Sequence, residues 1–142
     1  MNNTLPGRYS QTIHPLHAVL LAGSVTLFLG ATLSDLAYAA TFQIQWSTFA
    51  SWLIAGGLLL AGVALVFALV DVFRAHRRGG GVIRYTFVLL TCWLAGFVNA
   101  LVHARDAWAS MPAGLVLSII ITVLAAVATW LGFNARHSGE LR

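Results

Sequence analysis

The chain has 142 residues, 59% of them hydrophobic and only 8% charged, with a mean hydropathy of +0.84. A soluble domain carries about 25% charged residues, so a globule facing water on all sides is excluded. The net charge of +4 comes from eight arginines against four acids, with no lysine; the arginines stand at the ends of apolar runs, where they set membrane orientation, so no nucleic-acid partner is expected.

What remains is an all-α integral membrane protein, with residues 1–142 forming a single membrane domain. Four windows offer the roughly 20 apolar residues that a helical span needs. They run continuously apolar, without the alternation of a barrel strand. The first predicted span covers 17–40. Ala37-Tyr38-Ala39 near its end resembles a signal-cleavage site, but the preceding run is longer than a signal core, so the segment reads as an uncleaved span. An uncharged loop, 41–48, leads to the second span, 49–73.

The loop at 74–84 carries Arg74, Arg77, Arg78 and Arg84 around Gly79-Gly80-Gly81, which reads as a flexible turn. The third span follows at 85–104, and a short loop leads to the fourth at 113–133. Pro112 fits the start of that last helix, where its missing N–H is not needed. Short connections predict an antiparallel four-helix bundle.

Seven arginines (Arg8, Arg74, Arg77, Arg78, Arg84, Arg136 and Arg142) fall at one end of this bundle and only Arg105 at the other. The positive-inside rule then predicts both termini and the 74–84 loop in the cytoplasm, and a bacterial inner-membrane location. Trp46, Trp52 and Trp108 are expected at the outer interface, and Tyr85 and Trp130 at the inner one.

Helices in lipid associate through close packing at small residues. Gly57 with Ala61 in the second span, and Cys92, Gly96 and Ala100, continued by Ala104, in the third, are the predicted packing positions. Such faces would also permit a homo-oligomer. Lone Cys92 excludes an internal disulfide.

Ionisable groups at membrane depth are candidate sites because they are expensive there. Antiparallel geometry gathers two clusters. An inner one holds His14, His17 and Asp71. Asp35 lies about 27 Å along the first helix from His17, at 1.5 Å per residue, and joins Asn99, His103 and Arg105 in an outer one. Each cluster either fixes helix register or forms a ligand, haem or proton site.

No metal site is expected, since Pro15 interrupts the His14/His17 pair and Cys92 is too deep to join either cluster. Haem b needs only axial histidines, but His17 and His103 lie on opposite sides of the bilayer; a bis-histidine pair would need His14 or His17 with His76. Neither a nucleophile with its base nor a nucleotide motif is present, so no enzyme is expected.

Several short motifs carry a family likeness: His14-Pro15-Leu16-His17, Leu33-Ser34-Asp35, Gly56-Gly57, Val70-Asp71, Asn99 with His103-Ala104-Arg105-Asp106, and Trp130-Leu131-Gly132. In order and spacing, from about His14 to Gly132, the chain resembles the bacterial family called domain of unknown function 2231, predicted four-span membrane proteins. The resemblance implies no established activity. Its members' association with periplasmic dehydrogenases and redox-type domains implies an electron-transfer anchor.

The expectation is therefore a non-enzymatic anchor or accessory subunit, in contact with the lipid bilayer and with another membrane or periplasmic protein. The alternative is a haem b or quinone-linked electron-transfer subunit serving a periplasmic dehydrogenase. A third reading, a small transporter, needs ionisable groups nearer the midplane than Asp35 and Asp71.

Overall fold

A chain this apolar must satisfy its backbone within each segment, which leaves helices as the spanning element. The computed structural model describes residues 15–74, 80–105 and 107–137. Within them lie α1 (Pro15–Thr41), α2 (Ile44–Phe73), α3 (Gly80–His103), the single turn α4 (Ala107–Ser110) and α5 (Ala113–His137). All but α4 are long and apolar enough to cross a membrane, α5 over Ala113–Asn134.

The first two connections are shorter than the sequence predicts. α2 begins at Ile44 instead of 49, because Ile44-Gln45-Trp46-Ser47 contains no helix breaker. Only Phe42 and Gln43 separate α1 from α2, with Phe42 at φ 56° and its N–H on the Tyr38 carbonyl at 2.8 Å. That is the left-handed helix ending usually given to glycine. Here the position is held by a phenylalanine whose ring stands edge-on to Tyr38, one turn back.

α3 likewise starts at Gly80, five residues early. Gly80 and Gly81 form its first turn and not a flexible loop, and Arg84 closes on that turn through its Nε to the Gly80 carbonyl at 3.3 Å. α5 starts at Ala113, as the sequence predicts, and the Pro112 carbonyl accepts the Val116 N–H at 3.2 Å.

Contacts rise along one helix as they fall along the next. Gly23 lies against Leu60, Leu27 against Gly56, and Gly30 against Leu53, so α1 and α2 are antiparallel, with leucines seated over glycines. α3 follows α2 through Leu58, which lies over Gly96 and whose carbonyl accepts the Trp93 Nε1–H at 3.2 Å. α5 packs on α3 through Tyr85 over Gly132 and His103 over Gly114. It closes on α1 through Leu21 over Gly132 and Thr32 beside Thr122.

The order around the bundle is thus α1, α2, α3, α5, which leaves α1 and α3 parallel across the diagonal. Their core side chains meet twice at the same offset of 68 residues: His17 with Tyr85, and Asp35 with His103.

Each buried seam alternates steps of three and four, as in Ser47, Ala50, Ile54, Gly57, Ala61, Ala64 and Ala68 of α2. That spacing keeps one stripe facing the core of a gently left-handed bundle. It also corrects the strict four-residue stripe on α3. A helix of 3.6 residues per turn drifts about 40° with each step of four. Cys92 and Gly96 are buried, Ala100 is half-buried, and Ala104 is exposed. The core seam runs instead through Cys92, Gly96, Asn99 and His103.

Midway along the bundle the Phe28 ring, 0% exposed, lies over Gly57 and reaches Gly96. Cys92, Leu89 and Ile121 are equally enclosed, and the Cys92 Sγ–H points at the Ile121 carbonyl at 3.4 Å. The centre is a closely packed apolar plug.

Candidate functional site

The buried polar chemistry is concentrated near the arginine-poor end, where α1 turns into α2. Asp35 falls on the core seam of α1, one turn before Tyr38, and is fully buried. Facing it across the diagonal is His103, the last residue of α3, with Nε2 at 2.9 Å from Asp35 Oδ1. The other ring nitrogen, Nδ1, lies 3.0 Å from the Asn99 backbone carbonyl, one turn back on the same helix. The same carbonyl also accepts the His103 backbone N–H of the α3 ladder, so it is shared between two donors and ties the ring to its own helix.

From α5, the Ser118 hydroxyl donates to Asp35 Oδ2 at 2.5 Å, and its oxygen accepts the Asn99 Nδ2–H at 2.9 Å. Asp35, His103, Asn99 and Ser118 therefore close a ring of hydrogen bonds through three helices. Asp35, Asn99 and Ser118 are each 0% exposed. One turn deeper, Thr32 and Thr122 touch at 2.9 Å, and each also bonds a carbonyl of its own helix. Asn99 Oδ1 is buried with no donor, the one unsatisfied side-chain atom of the ring. An orphaned acceptor of this kind costs about 1–3 kcal/mol.

The ring is not arranged for nucleophilic catalysis. Ser118 gives its proton to the carboxylate, and the histidine faces that same carboxylate instead of the hydroxyl. A nucleophile needs its base within direct reach. Nor do the described residues contain a group of three His, Cys, Asp or Glu placed to hold a metal ion.

Three of the four outer residues singled out from sequence, Asp35, Asn99 and His103, come together in this ring. Arg105 does not: it is exposed in the turn beyond α3, with no hydrogen bond to the ring among the described residues. At the arginine-rich end, His17 is buried and its Nε2 lies 2.7 Å from the Tyr85 hydroxyl, with its ring edge-on to Phe67 and Tyr85. Asp71 is half-buried in the last turn of α2. His14 and His76 lie outside the described residues.

Tyr85 belongs to the core instead of the interfacial belt, because its hydroxyl finds a buried partner and its ring covers Gly132. Trp52 and Trp130 are, by contrast, 75% and 70% exposed on the bundle's outer surface.

Ser118 and Gly114 were not legible as site residues. Their signal is a hydroxyl at Ser118 and a glycine one turn earlier, in an apolar span that runs antiparallel to the one bearing Asp35. A Cβ built on Gly114 would stand 2.8 Å from His103 Cε1 and 3.3 Å from Nε2. Two hydrogen bonds fix the imidazole, so it cannot give way. Gly114→Ala is expected to lower the stability of the detergent-solubilised protein by about 1–3 kcal/mol, as overpacking does. Gly80→Ala is the matched control, with nothing within 4 Å of its Cβ. Thermal unfolding of the two variants side by side checks this.

Comparison with known families finds a match to the model described as "Predicted membrane protein (DUF2231)" over residues 13–141. Neither the curated proteins nor the solved structures yield a match. The chain belongs to the DUF2231 family.

Proposed function

We propose that this member of the DUF2231 family of predicted membrane proteins is a non-enzymatic anchor or accessory subunit of a larger membrane assembly. The observation that carries the reading is the closure of the Asp35–His103–Ser118–Asn99 ring. Polar groups at membrane depth are expensive and usually mark a site; here they are spent on one another, joining α1, α3 and α5. The connections between helices are short, so the surface left for a partner is the bundle's own apolar flank and its two ends. In this reading both termini and the arginine-rich end face the cytoplasm of a bacterial inner membrane, following the seven-to-one arginine distribution.

The electron-carrier alternative fits less well. His17 and His103 stand about 27 Å apart along the bundle axis, and the Nε2 of each is already engaged, by Tyr85 and by Asp35. An axial bond to haem at either would break that contact, and the two cannot serve one iron. The transporter alternative meets the apolar plug around Phe28, Leu89, Cys92 and Ile121.

Affinity purification from native membranes in mild detergent tests the proposal, with an unrelated four-span protein as the reference. A membrane or periplasmic protein enriched at stoichiometric yield is the expected result. Repeated recovery of the chain alone, at expression levels matching the native one, contradicts it. An absorption spectrum of the same preparation, oxidised and dithionite-reduced, is expected to lack a Soret band; its presence would favour the haem reading.

A further inference from the structure

We propose that the Asp35–His103 pair is a charge-neutral fastener carrying a single proton on the Nε2–Oδ1 axis, so that the ring needs a pattern of donors and acceptors and not a fixed pair of charges. The proton count follows from what each partner can do. A backbone carbonyl can only accept, so the 3.0 Å contact with Asn99 O places a hydrogen on His103 Nδ1. The 2.9 Å contact between Nε2 and Oδ1 then needs one hydrogen, from either side. With it on nitrogen the pair is imidazolium and carboxylate; with it on oxygen, imidazole and carboxylic acid. Both forms sum to zero charge. The remaining carboxylate oxygen is served by Ser118, whose own oxygen is served by Asn99.

Among the described side chains, no other charged group stands near the pair. α1 also carries His17, at the opposite end, and Tyr38, an uncharged phenol buried one turn beyond Asp35, while α2 carries Asp71, at the far end. On α3 the others are Arg84 and Tyr85 near its start and Cys92 at mid-helix, and on α5 they are Arg136 and His137 in the last turn. α4 has none. Arg105 is exposed in the turn after His103, and Asp106, next in the chain, lies outside the described residues. A pair with no proton on its axis, or with two, would leave a net charge in a water-poor interior, where an uncompensated ion is strongly disfavoured.

A neutral fastener predicts that an amide can replace the carboxyl. In Asp35→Asn, Nδ2–H can donate to an unprotonated His103 Nε2 while Oδ1 accepts from Ser118, which keeps both bonds of the carboxylic-acid form and adds one further N–H. The variant is expected to unfold within about 3 °C of wild type, whereas Asp35→Leu, with the same number of heavy side-chain atoms but without donor or acceptor, falls well below both. Histidine ¹⁵N spectra, with His103 identified by the signal missing from His103→Gln, supply the second measurement. A proton on His103 Nδ1 is expected in wild type and in Asp35→Asn, with Nε2 bare in the latter. Asp35→Asn as unstable as Asp35→Leu would overturn the proposal, by showing that the charge itself is required. So would a wild-type His103 with Nδ1 bare, and that readout stands even if the amide variant does not fold.

Discussion

Asp35→Leu is expected to lower the stability of the detergent-solubilised bundle by about 2–4 kcal/mol, the scale for stranding buried partners. Leucine keeps the number of heavy side-chain atoms but is bulkier than the carboxylate, so some overpacking adds to the loss of polar partners. It strands His103 Nε2 and the Ser118 hydroxyl in a region where Asp35, Asn99 and Ser118 are each 0% exposed. Single hydrogen bonds between membrane helices average well under this, about 0.6 kcal/mol. The larger figure is expected because Asp35 makes two bonds, to two different helices. α1 meets α3 only across the diagonal, so the variant is also expected to loosen the arginine-poor end selectively. Hydrogen exchange in the last turns of α1 and α3 should rise while that around the His17–Tyr85 contact stays unchanged. Unfolding in graded denaturing detergent, with exchange on the same samples, measures both effects.

Gly57→Ala is the second large effect, and opposing contributions decide it. Alanine is favoured over glycine inside a helix by about 1 kcal/mol. At this position, however, the new methyl would stand 2.5 Å from Phe28 Cε1 and 2.7 Å from Cδ1. The ring is 0% exposed and also reaches Gly96, so it has nowhere to move. Overpacking of about 1–3 kcal/mol is therefore expected to exceed the helix gain. Gly57→Leu should prevent the bundle from closing. Trimming the obstacle supplies the check: Phe28→Leu should restore much of the stability of Gly57→Ala, although alone it leaves a gap and destabilises. If Gly57→Ala is at least as stable as wild type, the Phe28–Gly57 contact does not hold the two helices at this distance.

The two predictions bear on different layers, and the sequence spoke to them unequally. Four spans were legible because each apolar run is long, uninterrupted and bounded by polar or arginine-bearing segments. The grouping of Asp35 with Asn99 and His103 was legible from depth alone, since antiparallel helices of known rise bring those positions to one level. Helix rotation was not. Whether Ser118 or its neighbour Ile119 faces Asp35 depends on a rotation of about 100° per residue, which an almost wholly apolar span does not encode in a polar face. The same ambiguity placed Ala104 on a packing stripe that the helix period carries out to the surface, and Tyr85 in a belt when it turns inward to His17. The turn at Phe42 was hidden because a phenylalanine occupies the left-handed position that glycine usually marks.

Coupling between Asp35 and His103 tests most directly the claim that the ring exists to hold the helices together. Stabilities of wild type, Asp35→Leu, His103→Leu and the double variant form the cycle. The account predicts strong non-additivity: each single change strands buried partners, while the double change replaces the pair with apolar side chains and loses little more than either one. Losses that simply add would mean that the two residues act independently, and the ring would not be the fastener described here.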